Sequence, residues 1–357
     1  MKRWMGIVAV AVIGTALLCA LPLDNSSSSS WAMADAGLAL DYFADSFAAN
    51  PALLALEGRS ETSFLATIRY LDEISTTSYR QNEVNPFFQR PVADWSISFA
   101  AGRLAFSIQN RNTLAERASW ADYSEYRGLM TTLFQFDWAM GKKPLSFGFT
   151  ARALAGSERT NILLREGHAL LDYAVETVVG RYEQVEDQSS VAFGMGLLLD
   201  YDWFKLAVVS NSFAYSSLEA PLVISADSLL KTLDWGFSFS SPTYDENNQL
   251  HLLKAEGALD FLNLGSDEER EVRLGISLKL QLLPTWSVSL LTGYREQKPL
   301  PTDLLQTSFE RGLQTLGLSA RFETVHLQLA YGWPTSWYVE KSSTQRSKFL
   351  LGASITL

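Results

Sequence analysis

Alternation with a period of two runs through most of this 357-residue chain and continues to its last residue. In 348–357, KFLLGASITL, the residues Phe349, Leu351, Ala353, Ile355 and Leu357 share one face. Lys348, Gly352, Ser354 and Thr356 share the other. Side chains of a strand point to opposite sides in turn, so the segment predicts a strand with one apolar face. In 271–282, Val272, Leu274, Ile276, Leu278, Leu280 and Leu282 oppose Arg273, Gly275, Ser277, Lys279 and Gln281. About fourteen segments behave this way: 62–70, 94–100, 103–110, 127–139, 144–155, 189–200, 203–211, 233–240, 252–262, 271–282, 285–294, 312–322, 324–333 and 348–357. Many have the roughly ten residues that a tilted strand needs to cross a bilayer.

The connections between these segments alternate in length. Those at 101–102, 140–143, 201–202, 283–284 and Glu323 are tight. Those at 71–93, 111–126, 156–188, 212–232, 295–311 and 334–347 are long, with 241–251 and 263–270 of middling size. Short turns at one end and long loops at the other mark outer-membrane barrels, with the short turns in the periplasm. Tyr70, Trp95, Trp138, Tyr201, Trp203, Trp235, Tyr294, Tyr331 and Trp333 fall near strand ends, where aromatic girdles meet the headgroups. The predicted fold is all-β: a transmembrane antiparallel up-and-down β-barrel of about fourteen strands. A β-rich periplasmic protein is the alternative.

Residues 1–34 read as a secretory signal. Lys2 and Arg3 precede an apolar run from Gly6 to Leu21, and Ala32-Met33-Ala34 is a small-x-small cleavage site that leaves Asp35 first. A retained anchor and lipoprotein processing at Cys19 are the alternatives. Cys19 is the only cysteine, so cleavage after Ala34 excludes disulfides, thiol catalysis and Cys-ligated metals. A net charge of −10 argues against nucleic acid as a partner. His168, His251 and His326 lie in different loops or strands, and none has a Ser or Asp arrangement specific enough to name. The sequence contains no phosphate loop, metal-ligand cluster or dinucleotide fingerprint. The expectation is a protein that is not an enzyme and uses no cofactor or metal.

Two connections stand out. In 158–185, Leu164, Leu171, Val175, Val178 and Tyr182 recur at helical spacing, predicting one or two helices in a long extracellular loop. The connection 212–232 carries Leu218, Leu222, Val223, Ile224, Leu229 and Leu230. Two apolar loops on one outer surface either form a hydrophobic entrance or cap each other. The other register of the strands faces the lumen, with Arg69, Arg103, Arg152, Lys205, Asp234, Lys254, Glu256, Asp260, Arg273, Lys279, Arg321 and His326 as lumen candidates.

The stretch ADAGLALDYFADSFAANPALLAL, 34–56, resembles the N-terminal segment of the FadL-like long-chain fatty-acid transporters of bacterial outer membranes. It is also similar to their spirochaete relatives and to the type IX secretion barrel PorV. The match centres on Asn50-Pro51-Ala52, preceded by Ala48-Ala49 and followed by a strand near Thr62. The resemblance implies a fourteen-stranded barrel whose N-terminal segment folds inside as a hatch. It also implies that the third and fourth extracellular loops gather hydrophobic substrate. On this reading 35–61 is the hatch, 62–357 the barrel, and Asn50-Pro51 the bend between them. Pro51 fixes its own φ and biases Asn50 towards an extended conformation. The implied function is uptake of hydrophobic small molecules, above all long-chain fatty acids, by passive diffusion through a hatch-gated barrel. Leu164, Leu171, Val175, Val178, Leu222, Ile224 and Leu229 would line the entrance, and Arg69, Arg152 or Lys279 would meet a carboxylate head. The implied partners are the lipid bilayer, a hydrophobic ligand and other envelope proteins. A secretion-partner barrel in the manner of PorV and a general diffusion porin are the alternatives. The chain departs from the family in being short and in ending at Leu357 rather than at an aromatic.

Overall fold

The computed structural model describes residues 28–40, 46–56, 62–71, 93–119, 123–170, 173–217, 223–224, 226–242, 252–265, 270–297, 312–335 and 348–356. The strands are β1 (Thr62–Leu71), β2 (Ala93–Ala101), β3 (Leu104–Ser119), β4 (Tyr123–Lys142), β5 (Leu145–Leu170), β6 (Tyr173–Tyr201), β7 (Phe204–Ser217) and β8 (Val223–Ile224). They continue with β9 (Leu233–Ser240), β10 (Leu253–Leu262), β11 (Glu271–Leu283), β12 (Trp286–Gln297), β13 (Gly312–Phe322), β14 (Val325–Pro334) and β15 (Lys348–Thr356). β8 is a two-residue pairing on β7. Each of the other fourteen pairs antiparallel with its neighbours in chain order. β1 also pairs with β15, β6 with β7, and β7 with β9. Every one of them thus has a partner on both sides.

The turns at one end are as tight as the sequence predicts. β2–β3, β4–β5, β6–β7, β11–β12 and β13–β14 are each joined by two residues. Gly102, Asp202 and Glu323 take positive φ in these turns (57°, 64° and 52°), the geometry that matches a two-residue hairpin to strand twist.

The two faces of the wall are inverted relative to a water-soluble protein. Trp95, Ile97 and Phe99 are 38%, 41% and 46% exposed, whereas Ser96 and Ser98 between them are 3% and 2% exposed. Leu274, Ile276 and Leu278 on β11, and Phe349, Leu351 and Ile355 on β15, also face outward. An apolar exterior that runs strand after strand fits hydrocarbon as its solvent. Among the described residues no helix is long and apolar enough to cross a membrane; the strands supply the crossing. Aromatics mark both ends. Trp286 and Phe322 pack edge to face with centroids 5.5 Å apart beside two of the short turns, and Phe204 packs against Phe239 at 5.2 Å. Tyr331 packs against Trp333 and Phe349 towards the other end. The inversion makes a depth-dependent prediction. Leu278→Arg should cost the barrel about 2–4 kcal/mol, while Leu252→Arg, just outside β10, should cost about 0–1. Urea unfolding from phospholipid vesicles measures both.

Two expectations fail. The helices predicted in 158–185 are absent: β5 and β6 run through this segment as one ladder, from Leu145↔Leu199 to Leu170↔Tyr173. Thr160, Ile162, Val175, Thr177, Val178 and Val179 are β-branched, which favours strand. The ladder is already nucleated by 145–155 against 189–199, so each further pair adds without a new nucleus. The described α-helix is instead α1 (Ala226–Lys231), in the next long connection. Arg103, expected on the lumen wall, sits in the β2–β3 turn and donates to Gly141 O at 3.1 Å.

The interior is filled from the N-terminal segment. Three short 3-10 helices lie there: η1 (Ser28–Met33), η2 (Ser46–Ala48) and η3 (Pro51–Ala55). Trp31, Met33, Phe47, Leu53 and Leu54 are among the largest fully buried side chains of the molecule.

Candidate functional site: the hatch and its seat

Small residues let a second layer of backbone approach the lumen wall. The N-terminal segment inside the lumen, the candidate hatch, reaches back beyond the expected 35–61: it has Ala32, Ala34, Ala36, Gly37 and Ala39 in its first part and Ala48, Ala49 and Ala52 in its second. The first part lies against β9–β14 and the second against β4–β6. Asn50 joins the two. It is extended (φ −144°, ψ 108°), as Pro51 dictates, and it caps η3 by accepting from Ala52 N at 3.0 Å. Its Nδ2 donates to Leu38 O at 2.9 Å, stitching the second part to the first. Asn50, Pro51 and Ala52 are all buried. They are seated where the wall has glycine. A Cβ on Gly196 would lie 2.1 Å from Asn50 Oδ1, and one on Gly148 would lie 2.3 Å from Ala52 N. The predicted bend therefore sits inside the lumen; the segment 57–61 that leads to β1 lies outside the described residues.

Polar side chains of the wall hold the hatch backbone. Asp260 on β10, Arg273 on β11 and Arg295 on β12 are register neighbours and form one inward row. Asp260 Oδ2 accepts from Gly37 N at 2.6 Å and Leu38 N at 3.0 Å. Arg295 Nη1 pairs with Asp35 Oδ2 at 2.7 Å, and Arg273 donates to Asp35 O at 3.4 Å. Ser238 and Thr315 donate to Ala39 O and Ala32 O, each at 2.9 Å. On the opposite wall, Arg152 Nη2 and Gln135 Nε2 reach Ala48 O at 3.4 Å. Gln135 also donates to Asp137, and Arg152 donates to Gln135 and to Asn211 O. A charge buried in such a lumen is stable only when its hydrogen bonds are made, and here the hatch backbone makes several of them.

Below the first part of the hatch, towards the short turns, the lumen is cationic. Lys254 and Lys279 are direct register partners, as are Arg321 and His326. Lys279 also lies within electrostatic range of Arg321 and Glu256. Lys254 is tied to Glu256 at 2.7 Å, and Lys205 lies 4.0 Å from Asp200. Lys279 is half-buried, and its side chain makes no ion pair or hydrogen bond among the described residues. At the mouth, Lys143 hydrogen-bonds Asp202 in its turn and holds that carboxyl below the usual carboxylate range.

The predicted site residues therefore separate. Arg152 is a support for the hatch, and Lys279 faces the cationic part of the lumen. Arg69 pairs in the backbone with Asp94 and Leu350; its side chain lies outside the described residues. Leu164 falls on β5, and Val175 and Val178 on β6. Ile224 is in β8 and Leu229 in α1, while Leu171 and Leu222 lie outside the described residues. Among the described residues no backbone pairing joins the β5–β6 set to β8 or α1. Asp35, Gln135, Arg295 and Thr315 were not expected in the site. For the wall residues among them, the signal available in the sequence was an inward register on a strand.

No protein-family model matches the sequence, and no curated protein aligns with it. Solved structures do match in fold. A Pseudomonas aeruginosa FadL homologue superposes at a TM-score of 0.50 and 10% identity, over 92% of this chain and 98% of that one. The Ralstonia pickettii toluene transporter TbuX gives 0.55 and 12%, over 94% and 99%. The Pseudomonas putida toluene transporter TodX gives 0.53 and 11%, over 92% and 97%. The fold is that of FadL-like outer-membrane barrels, over nearly the whole chain.

Proposed function

We propose that this chain is a hatch-gated outer-membrane channel for the uptake of hydrophobic small molecules, with long-chain fatty acids as the preferred class. The observation that carries the reading is the hatch itself. A general diffusion porin keeps its lumen open to water, whereas this lumen holds a segment packed on wall glycines and held by buried charges. A solute that passes must displace or bypass that segment, which favours ligands able to use apolar surface. The toluene transporters of the same fold carry an uncharged cargo by their description. The cationic lumen around Lys279 and Lys254 supports a cargo that ends in a carboxylate, because an ammonium without a partner gains a charge-assisted hydrogen bond from it.

Uptake of labelled oleate by cells or liposomes, with and without the protein, tests the reading; equal uptake sinks it. Lys279→Gln should lower oleate uptake by about threefold or more while leaving toluene uptake unchanged. An equal loss for both would assign Lys279 to the barrel wall alone.

A second reading, a barrel that serves an envelope protein complex, is favoured by β5 and β6. At 26 and 29 residues they are far longer than the roughly ten needed to span a bilayer. Co-purification in fixed stoichiometry with other envelope proteins, lost when 157–188 is replaced by a short turn, would support it.

A further inference from the structure

We infer that the precursor is cut upstream of Ser30, so that Trp31-Ala32-Met33-Ala34 belongs to the mature hatch and not to a discarded leader. These four residues are among the most buried of the chain, at 1%, 0%, 0% and 0% exposure. Trp31, Ala32 and Met33 pack with Leu291, Leu313, Ala330 and Leu350 of the wall.

The wall is shaped for them. Gly275, Gly293, Thr315 and Gly332 are register neighbours across β11, β12, β13 and β14 and make one shallow groove. A Cβ on Gly332 would lie 2.6 Å from the Trp31 ring, and one on Gly275 would lie 2.7 Å from Met33 Cε. A Cβ on Gly293 would lie 2.2 Å from the Met33 carbonyl carbon. Thr315, the one residue of the row with a side chain, donates to Ala32 O at 2.9 Å. A hatch that began at Asp35 would leave this groove without an occupant.

Cleavage after Ala34 would also place a new ammonium group on Asp35, which is 1% exposed. In the intact chain Asp35 N instead donates to Ser30 O at 3.1 Å, and Ala34 N to Trp31 O at 3.0 Å. Ala32 and Ala34 thus have a packing role: their short side chains let the backbone lie close against Gly293 and Gly317, while the Trp31 and Met33 side chains fill the space over Gly332 and Gly275. Small-x-small is the pattern a signal peptidase reads, and also the pattern this seat needs.

The test uses the protein as cells make it. Barrel purified from outer membranes is measured by intact mass and by sequencing its N-terminal peptide. The expected first residue is Ser30 or an earlier one, with the Trp31 peptide present in equal amount to peptides of the wall. A mature chain that starts at any later residue, Asp35 above all, overturns the inference.

Discussion

Deletion of residues 28–56 should leave a barrel that still assembles but conducts ions, with a steady conductance raised by roughly tenfold or more over the intact protein. Assembly should survive because the wall closes on its own pairings: β1 meets β15 over nine register pairs, and β6 meets β7. Conductance should rise because the hatch is what occupies the interior. Once it is gone, Gln135, Asp137, Arg152, Asp234, Asp260 and Arg273 line a cavity open to water. These groups are stable there only if hydrated, so the emptied lumen fills with solvent rather than collapsing. Planar-bilayer recording reads the conductance, and heat-modifiable gel mobility confirms the barrel. An assembled barrel with unchanged conductance would mean that the hatch is not the plug, and the gated reading would fall with it.

The wall was legible because strand geometry is local. Alternation alone places Leu278 outside and Lys279 inside, and it places Leu351 outside and Gly352 inside, as observed. Helical spacing at 171–182 misled for an equally local reason. Leu171 to Val175 and Val178 to Tyr182 are four apart, an even interval that puts residues on one face of a helix and also on one face of a strand. What separates the two readings is the neighbouring ladder, which is a tertiary fact. The site was legible only in halves. Asp260 and Arg273 could be assigned inward registers, but not that a backbone more than two hundred residues away would meet them. Pro51 does force Asn50 extended. That Asn50 then caps a turn between Gly148 and Gly196 follows from the register of β5 and β6, which no short motif encodes.

Asp260→Ala should have the largest effect of any single change in the hatch seat. One carboxylate oxygen accepts both Gly37 N and Leu38 N, at 2.6 and 3.0 Å, in a fully buried site. Alanine leaves two backbone donors without acceptors, at about 1–3 kcal/mol each. That cost falls on the closed state alone, because a displaced hatch can hydrate both groups. Open events in single-channel recordings should therefore become roughly thirtyfold or more as frequent, since about 1.4 kcal/mol is a factor of ten. Asp260→Asn keeps the shape and one carbonyl oxygen but loses the charge, so its effect should fall between wild type and alanine. Lys254→Gln changes a lumen charge that pairs with Glu256 rather than with the hatch, and should leave the opening frequency unchanged. The order Ala, Asn, wild type identifies hydrogen bonds to the hatch as the restraint. If both Asp260 variants match wild type, the glycine seat holds the hatch by packing alone. Gating would then have to be sought in the fit of Asn50, Pro51 and Ala52 against Gly148 and Gly196.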